Sequence, residues 1–424
     1  MPEIKPFRGI LYNAIKVHLE NVVAPPYDVI SPDMQEELYK KNPYNIVRLI
    51  LNSSEDTYSS AAKFLSEWKQ QKVLIMDSQP AFYVLSMRYR GAGGNLKERK
   101  GFIAACKMEE KDSESIVPHE QTLSKPREDR LRLFESTCSM FSQIFGLYSD
   151  PRGVVDSLLD SIRRSIPFAE IHYGDVEFRL WALRDKTNIQ TISEFIKRRK
   201  ILIADGHHRY EAARSYRDIT RSKTPASTGR EPFNYIPMYF TNLHAPGLTI
   251  LPTHRIIHGL AGFNETSMMN DIAKHFTIVP DVTREKLFEE LQSRRKGAFG
   301  VILATPHNFS LVYRNDNTAV PSVESNDKTA NLDVAILHKE ILEKILGITP
   351  EMQRQMAHIQ YEIDAGIAID AVSQKKAQVA FLLNPTNVEE LQVVAEAGQM
   401  MPQKSTYFYP KLLSGLVNYS FTDE

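Results

Sequence analysis

Cysteine is nearly absent: Cys106 and Cys138 are the two in 424 residues. Two thiols cannot make a disulfide framework in a chain of this length, and no CxxC pair offers the spacing of a zinc site. Net charge is missing too. Lys plus Arg number 52, as do Asp plus Glu. A sequence-independent grip on nucleic acid works by neutralising phosphates, and this balance gives it no support. No apolar run approaches the ~20 residues of a membrane span. The opening Met1-Pro2-Glu3-Ile4-Lys5 lacks the basic-then-apolar pattern of a signal peptide. Fixed-period repeats, heptads and low-complexity tracts are also lacking. These absences leave a soluble, cytoplasmic globular protein, with no membrane or nucleic-acid partner expected.

What is present is an ordinary balance of 42% hydrophobic and 25% charged residues, over a length that implies two or three domains. Ser31-Pro32 reads as the N-cap and first turn of a helix reaching about Tyr39. The paired Pro25-Pro26 fixes a rigid loop that presents Tyr27 and Asp28. The apolar run Ile46–Leu51 reads as a strand, and Thr57–Gln71 as an amphipathic helix with Ala61, Phe64, Leu65 and Trp68 on one face. Ala81–Arg90 and Lys100–Met108 alternate as a hairpin, and its Gly-rich link has no following helix to make it a phosphate loop. Beyond Lys125–Arg130 a helix is expected with Leu131, Phe134, Cys138 and Phe141 at helical intervals. Arg217–Phe233, polar and weakly patterned, reads as a surface loop or a flap. After Pro252-Thr253-His254-Arg255, helices at 265–276, 284–295, 333–345 and 387–397 alternate with strands at 300–304, 309–313, 359–363 and 379–383. This alternation indicates a mixed α/β or α+β fold.

The densest chemistry lies in Ile201–Arg214, ILIADGHHRYEAAR. An apolar strand end meets Asp205-Gly206, and His207-His208-Arg209 opens a helix. Such a junction aims backbone N–H groups and the positive end of the helix at one point, which suits an anion. Asp205 is suited to a divalent cation and Arg209 to phosphate. The plain alternative is a strand–helix junction capped by Asp205. A second polar stretch, Pro118-His119-Glu120, precedes Arg130, the better placed of the nearby cations to face phosphate. A third, Met400–Leu412, carries Lys404, Ser405, Thr406 and Lys411, which form either a second anion-binding lip or a stretch pinned by its aromatics. His254 and Arg255 are further candidates to line the same cleft.

Together, Pro118-His119-Glu120 and Ile203–Tyr210 resemble the paired motifs of the free serine kinases built on the ParB/sulfiredoxin-type nucleotide-binding fold. Over nearly its full length the chain resembles the uncharacterised DUF1015 family, through Pro6–Gly9, Ala24–Ile30, both motifs, Pro252–Arg255 and Met401–Lys411. The resemblance implies an N-terminal α/β region (1–110), a ParB/sulfiredoxin-like core (111–250) and a C-terminal α+β domain (251–424). By resemblance Glu120 is the base that accepts the proton of a substrate hydroxyl. Asp205, Gly206, His207, His208 and Arg209, with His119, hold the phosphates of ATP or ADP and a Mg²⁺ bound by Asp205. Tyr27, Asp28, His254 and Arg255 complete the substrate pocket. Helix and strand patterns at 154–183 enlarge the interval between the motifs relative to those kinases.

The implied activity is phosphoryl transfer to a small hydroxy acid or polyol, in a chain that leaves room for a homo-oligomer. Two alternatives stand beside it. One is a metal-dependent phosphohydrolase or nucleotidase using His119, His207, His208 and Asp205; it is weakened because adjacent helical residues point about 100° apart. The other is a non-catalytic nucleotide sensor.

Overall fold

The computed structural model describes residues 1–91, 93–110, 113–120, 124–304, 309–314 and 327–422. The chain forms two compact units, and both are discontinuous in sequence. The first comprises Met1–Pro118, Thr122–Thr249 and Pro410–Glu424; the second comprises His119–Gln121 and Ile250–Tyr409. The class is mixed α/β, as the alternation of patterns predicts.

The first unit is built on a nine-stranded sheet among the described residues. Across it run Ile116–Val117, Ile201–Asp205, Ile144–Tyr148, Tyr235–Asn242, Leu96–Lys107, Phe82–Arg90, Val176–Leu183 and Ala169–Tyr173, with Ile4–Lys5 paired off Leu96–Lys107. Ile201–Asp205 is antiparallel to Ile144–Tyr148 and parallel to Ile116–Val117. The expected hairpin is there, closed where the Gly91 N–H donates to the Asn95 carbonyl at 2.9 Å. Ala92 within that link lies outside the described residues. Beside the sheet, a cluster of short helices packs around Trp68, Leu65, Ala61 and Ile50. Ser31 caps Pro32–Lys41 as expected, accepting from the Met34 N–H at 3.2 Å.

The second unit is a six-stranded antiparallel sheet in the order Phe276–Val279, Phe309–Arg314, Ala298–Leu303, Val379–Leu383, His254–Ile257, Ile359–Glu362. Leu287 and Leu291 of Arg284–Arg294, with Ala368, Ile369 and Val372 of Ala365–Ser373, bury against it.

Five local expectations are corrected. Residues 46–51 hold the helix Val47–Ile50, in which Val47, Leu49 and Ile50 are all buried. A short apolar run lacks the polar alternation that separates a strand from a buried helix. The helix Ser124–Thr137 stops before Cys138, which sits at φ +46, so Phe141 is not on it; its buried face is Arg130, Leu133, Phe134 and Thr137. Arg217–Phe233 is not a loop throughout, because the helix His207–Ser222 runs through its first third. Arg217 is buried there, donating to the Met108 and Glu109 carbonyls at 3.0 Å each, and a buried cation so satisfied leaves no apolar signature. The helix from Glu265 ends at Ala273, and Phe276 opens a strand. Asp333–Ile336 is α-helical but passes into a π-helix over Leu337–Glu343.

Candidate functional site

The strand–turn–helix expected from Ile201–Arg214 is present as Ile201–Asp205, Gly206 and His207–Ser222. Gly206, not Asp205, is the N-cap residue, at φ +93 and with no side-chain cap. A Cβ on Gly206 would lie 3.0 Å from Ile144 Cδ1 and 3.1 Å from Arg209 Nη2, in a left-handed conformation that side chains disfavour. The turn therefore needs glycine, and glycine frees the Asp205 carboxylate from capping duty.

That carboxylate is held by two cations. Lys411 Nζ donates to Oδ1 at 3.1 Å, and Arg209 Nη2 donates to Oδ2 at 3.2 Å. Arg209 is buried and spends its other terminal nitrogen on the Gln143 carbonyl at 2.8 Å. Burial alone would raise the pKa of Asp205. Lys411, Arg209 and His207 together outweigh burial and hold the group well below the usual carboxylate range. Two cations and the positive end of a 16-residue helix thus face a single carboxylate. The local balance is positive, in a chain whose overall charge is zero.

Tyr27 and Arg130 belong to the same unit. The Arg130 guanidinium lies 4.0 Å from the Tyr27 ring centroid, donates to the Ile50 carbonyl at 2.8 Å and pairs with Asp129. Burial pushes the Tyr27 phenol up to about 12, with Arg130 and Arg209 opposing and Asp28 assisting. The phenol therefore feels both arginines. Asp28 itself is exposed.

The second unit gathers its own set. His119 is fully buried, its Nε2 3.0 Å from Thr406 Oγ1, and its carbonyl accepts from the Met401 N–H at 2.7 Å. Glu120 bridges to Met401 in parallel register, and its carboxylate accepts from the Lys404 N–H. The Pro118-His119-Glu120 motif and the Met401–Thr406 stretch are thus laced together. Ser405 is buried and donates to the Pro402 carbonyl, while Lys404 projects at the surface. Arg255 is buried. It donates to His338 Nε2 at 3.1 Å, to the Lys404 carbonyl at 3.1 Å and to the Thr253 carbonyl, and lies 5.2 Å from the Tyr361 ring centroid. Burial lowers Arg255 to about 10, with Tyr361 and Glu120 opposing the drop. His254 faces the sheet, accepting at Nδ1 from the Leu383 N–H at 3.2 Å. Burial, aided by Arg255, lowers it to about 4, so its ring is neutral at pH 7.

A magnesium ion would find one carboxylate in this part of the first unit, that of Asp205, whose oxygens are held by Lys411 and Arg209. Mg²⁺ characteristically takes one or two protein carboxylates and completes its shell with phosphate oxygens and water. The donor set fits an ion brought in largely by a nucleotide. Sequence reasoning missed Gln143, Arg99, His338 and Tyr361. Arg99 is fully buried in the hairpin, 4.7 Å from the Phe145 ring centroid, and Asp205 is among the charges that stabilise its cation. Nothing in its strand pattern marks it, because it looks like any outward-facing charge.

The family model "Protein of unknown function (DUF1015)" matches residues 4–335, and the chain belongs to that family. No curated protein matches it in sequence. Among solved structures it is similar to a conserved hypothetical protein from Pyrococcus furiosus, at 13% identity and a TM-score of 0.36, covering 71% of this chain and 91% of that one. It is also similar to a free serine kinase in complex with AMP, at 11% identity and a TM-score of 0.36, covering 71% and 88%. A third is SbnI with a C-terminal truncation from Staphylococcus aureus, at 13% and 0.36, covering 74% and 86%.

Proposed function

We propose that this protein is a nucleotide-dependent kinase that transfers a phosphoryl group to the hydroxyl of a small molecule. The observation that carries the reading is the Asp205 carboxylate, kept ionised by Lys411 and Arg209 at the start of the helix His207–Ser222. Phosphoryl transfer asks the protein chiefly for positioning and charge neutralisation. The Gly206 turn, Lys411 and Arg209 supply fixed positive potential. Asp205 is the residue suited to a magnesium ion, which when bound would neutralise charge on the phosphates. His207 and His208 add donors on the first turn of the helix.

Glu120 is assigned as the base that takes the proton of the attacking hydroxyl. Its carboxylate is oriented by the Lys404 N–H. The bond formed joins the acceptor oxygen to the transferred phosphorus, the bond broken is the phosphoanhydride of ATP or ADP, and the proton goes to Glu120. The nucleotide leaves as ADP or AMP.

The test is incubation of the purified protein with Mg²⁺ and ATP or ADP against hydroxy amino acids, polyols and simple alcohols, read by ³¹P NMR. A phosphomonoester formed only with acceptor present is the expected result. Phosphate released equally without any acceptor would indicate a hydrolase instead. Nucleotide binding with neither product would leave a sensor.

A further inference from the structure

The second unit holds a solvent-open cavity of about 340 Å³, within the size range of small-molecule sites. Besides Asp327, Thr329 and Ala330, its walls come from four places in the sequence. One is the helical segment carrying Ala335, Ile336 and His338. Another is Pro350 and Gln353 on the following helix, and a third is Tyr361 on the edge strand Ile359–Glu362. The fourth is Met400–Gln403, the stretch that pairs with His119 and Glu120.

Three observations bear on its use. First, the helical wall includes a π-helix, Leu337–Glu343, a rare form frequent at functional sites. Second, the Tyr361 hydroxyl is buried and has no hydrogen-bond partner among the described residues. A buried hydroxyl left so costs free energy that a ligand oxygen would recover. Third, the charges lining the cavity are three carboxylates, Asp327, Glu340 and Glu343, against two cations, Lys339, which acts on Asp327, and Arg354, and most of them are engaged. Glu340 pairs with Lys344 at 2.7 Å, Asp327 accepts from Thr329, and Arg354 is bound to Glu351. His338 is buried, and burial, aided by Arg255, drives its basicity down, so it offers no cation. A carboxylate or phosphate would enter here against Asp327, Glu340 and Glu343.

We propose that this cavity binds an alcohol with an apolar body and no negative charge, an uncharged alcohol or an amino alcohol. Its carbon skeleton packs on Ile336, Pro350, Met400 and Met401, and an oxygen accepts from the Tyr361 hydroxyl. Glu120 acts electrostatically on Tyr361 and Arg255, and its bridge partner Met401 lines one wall. That Glu120 then activates the bound hydroxyl rests on the kinase reading above; the binding itself does not.

The experiment measures binding of four probes to the full chain without nucleotide, by titration calorimetry and saturation-transfer NMR. They are 2-phenylethanol, 2-amino-3-phenylpropan-1-ol, 3-phenyllactate and glycerate. The first two should bind, and the two anions should bind at least tenfold more weakly. Ala335→Trp, which fills the cavity, and Met400→Trp at its mouth should each weaken the alcohols at least tenfold, and Tyr361→Phe about fivefold. Melting temperature and ADP affinity should stay within error in at least one filling variant. Failure of all four probes to bind, preference for the anions, or alcohol affinity unchanged in a folded filling variant would overturn the proposal. The two readings separate cleanly. Alcohols that bind in the cavity but are never phosphorylated refute the kinase assignment alone. Phosphorylation that survives a filled cavity refutes the cavity alone.

Discussion

Lys411 reaches back from the last stretch of the chain to hold Asp205, 206 residues earlier. Removing one partner of a largely buried pair leaves the other charge uncompensated, so Lys411→Met should cost on the order of 2 kcal/mol in urea unfolding at pH 7. The sign with pH follows from Asp205. Its folded value lies below that of the unfolded carboxylate, so its stabilisation is present above about pH 4 and is lost as pH falls through the folded value. Lys411→Met should therefore lose less stability on acidification than the wild type, and an unchanged acid limb would contradict the pairing. His254 gives a second test. It too is depressed in the fold, to about 4, by burial first and Arg255 second. Its contribution is present above about pH 6.5 and is lost as pH drops through 4. Unfolding at pH 7 and pH 5 should show a fall in stability that His254→Gln reduces.

The strand–turn–helix at 201–222 was legible as an element because three buried aliphatics, a glycine turn and a helical Ala–Ala–Tyr face follow in order. Its continuation past Arg217 was hidden, since Arg217 is buried by hydrogen bonds to Met108 and Glu109 and not by apolar character. Likewise Val47–Ile50 was obscured because every apolar residue of that run is buried. The sheet holds a further element-level test at Gly101. A Cβ there would lie 2.2 Å from the Phe240 carbonyl of the adjacent strand, a backbone atom that cannot yield without parting the strands. Gly101→Ala should destabilise the first unit by more than about 2 kcal/mol, in line with overpacked positions, whereas Gly174→Ala, whose Cβ would meet nothing within 4 Å, should cost only the strain of its positive φ. Equal midpoints for wild type and Gly101→Ala in denaturant would refute this close packing.

At the scale of the molecule, the tail 410–424 is part of the first unit and not of the sequence neighbourhood that precedes it. Tyr419–Ser420 pairs with Ser139–Met140, and Asn418 exchanges backbone hydrogen bonds with Ile10. No local pattern could announce that return, because its partners are hundreds of residues away. What the sequence did carry was the two motifs as dense polar stretches: the structure groups Asp205, Arg209 and Lys411 in one unit, and His119, Glu120, Lys404 and Thr406 in the other. In the proposed function, Glu120 does the proton chemistry while the 205–209 turn holds phosphate. Single-turnover transfer from Mg²⁺-nucleotide to an acceptor, run beside nucleotide titration, tests it most directly. Glu120→Gln should lose transfer by at least about a hundredfold, the scale of general-base catalysis, with nucleotide affinity held within about threefold. A Glu120→Gln variant that transfers at the wild-type rate would contradict it.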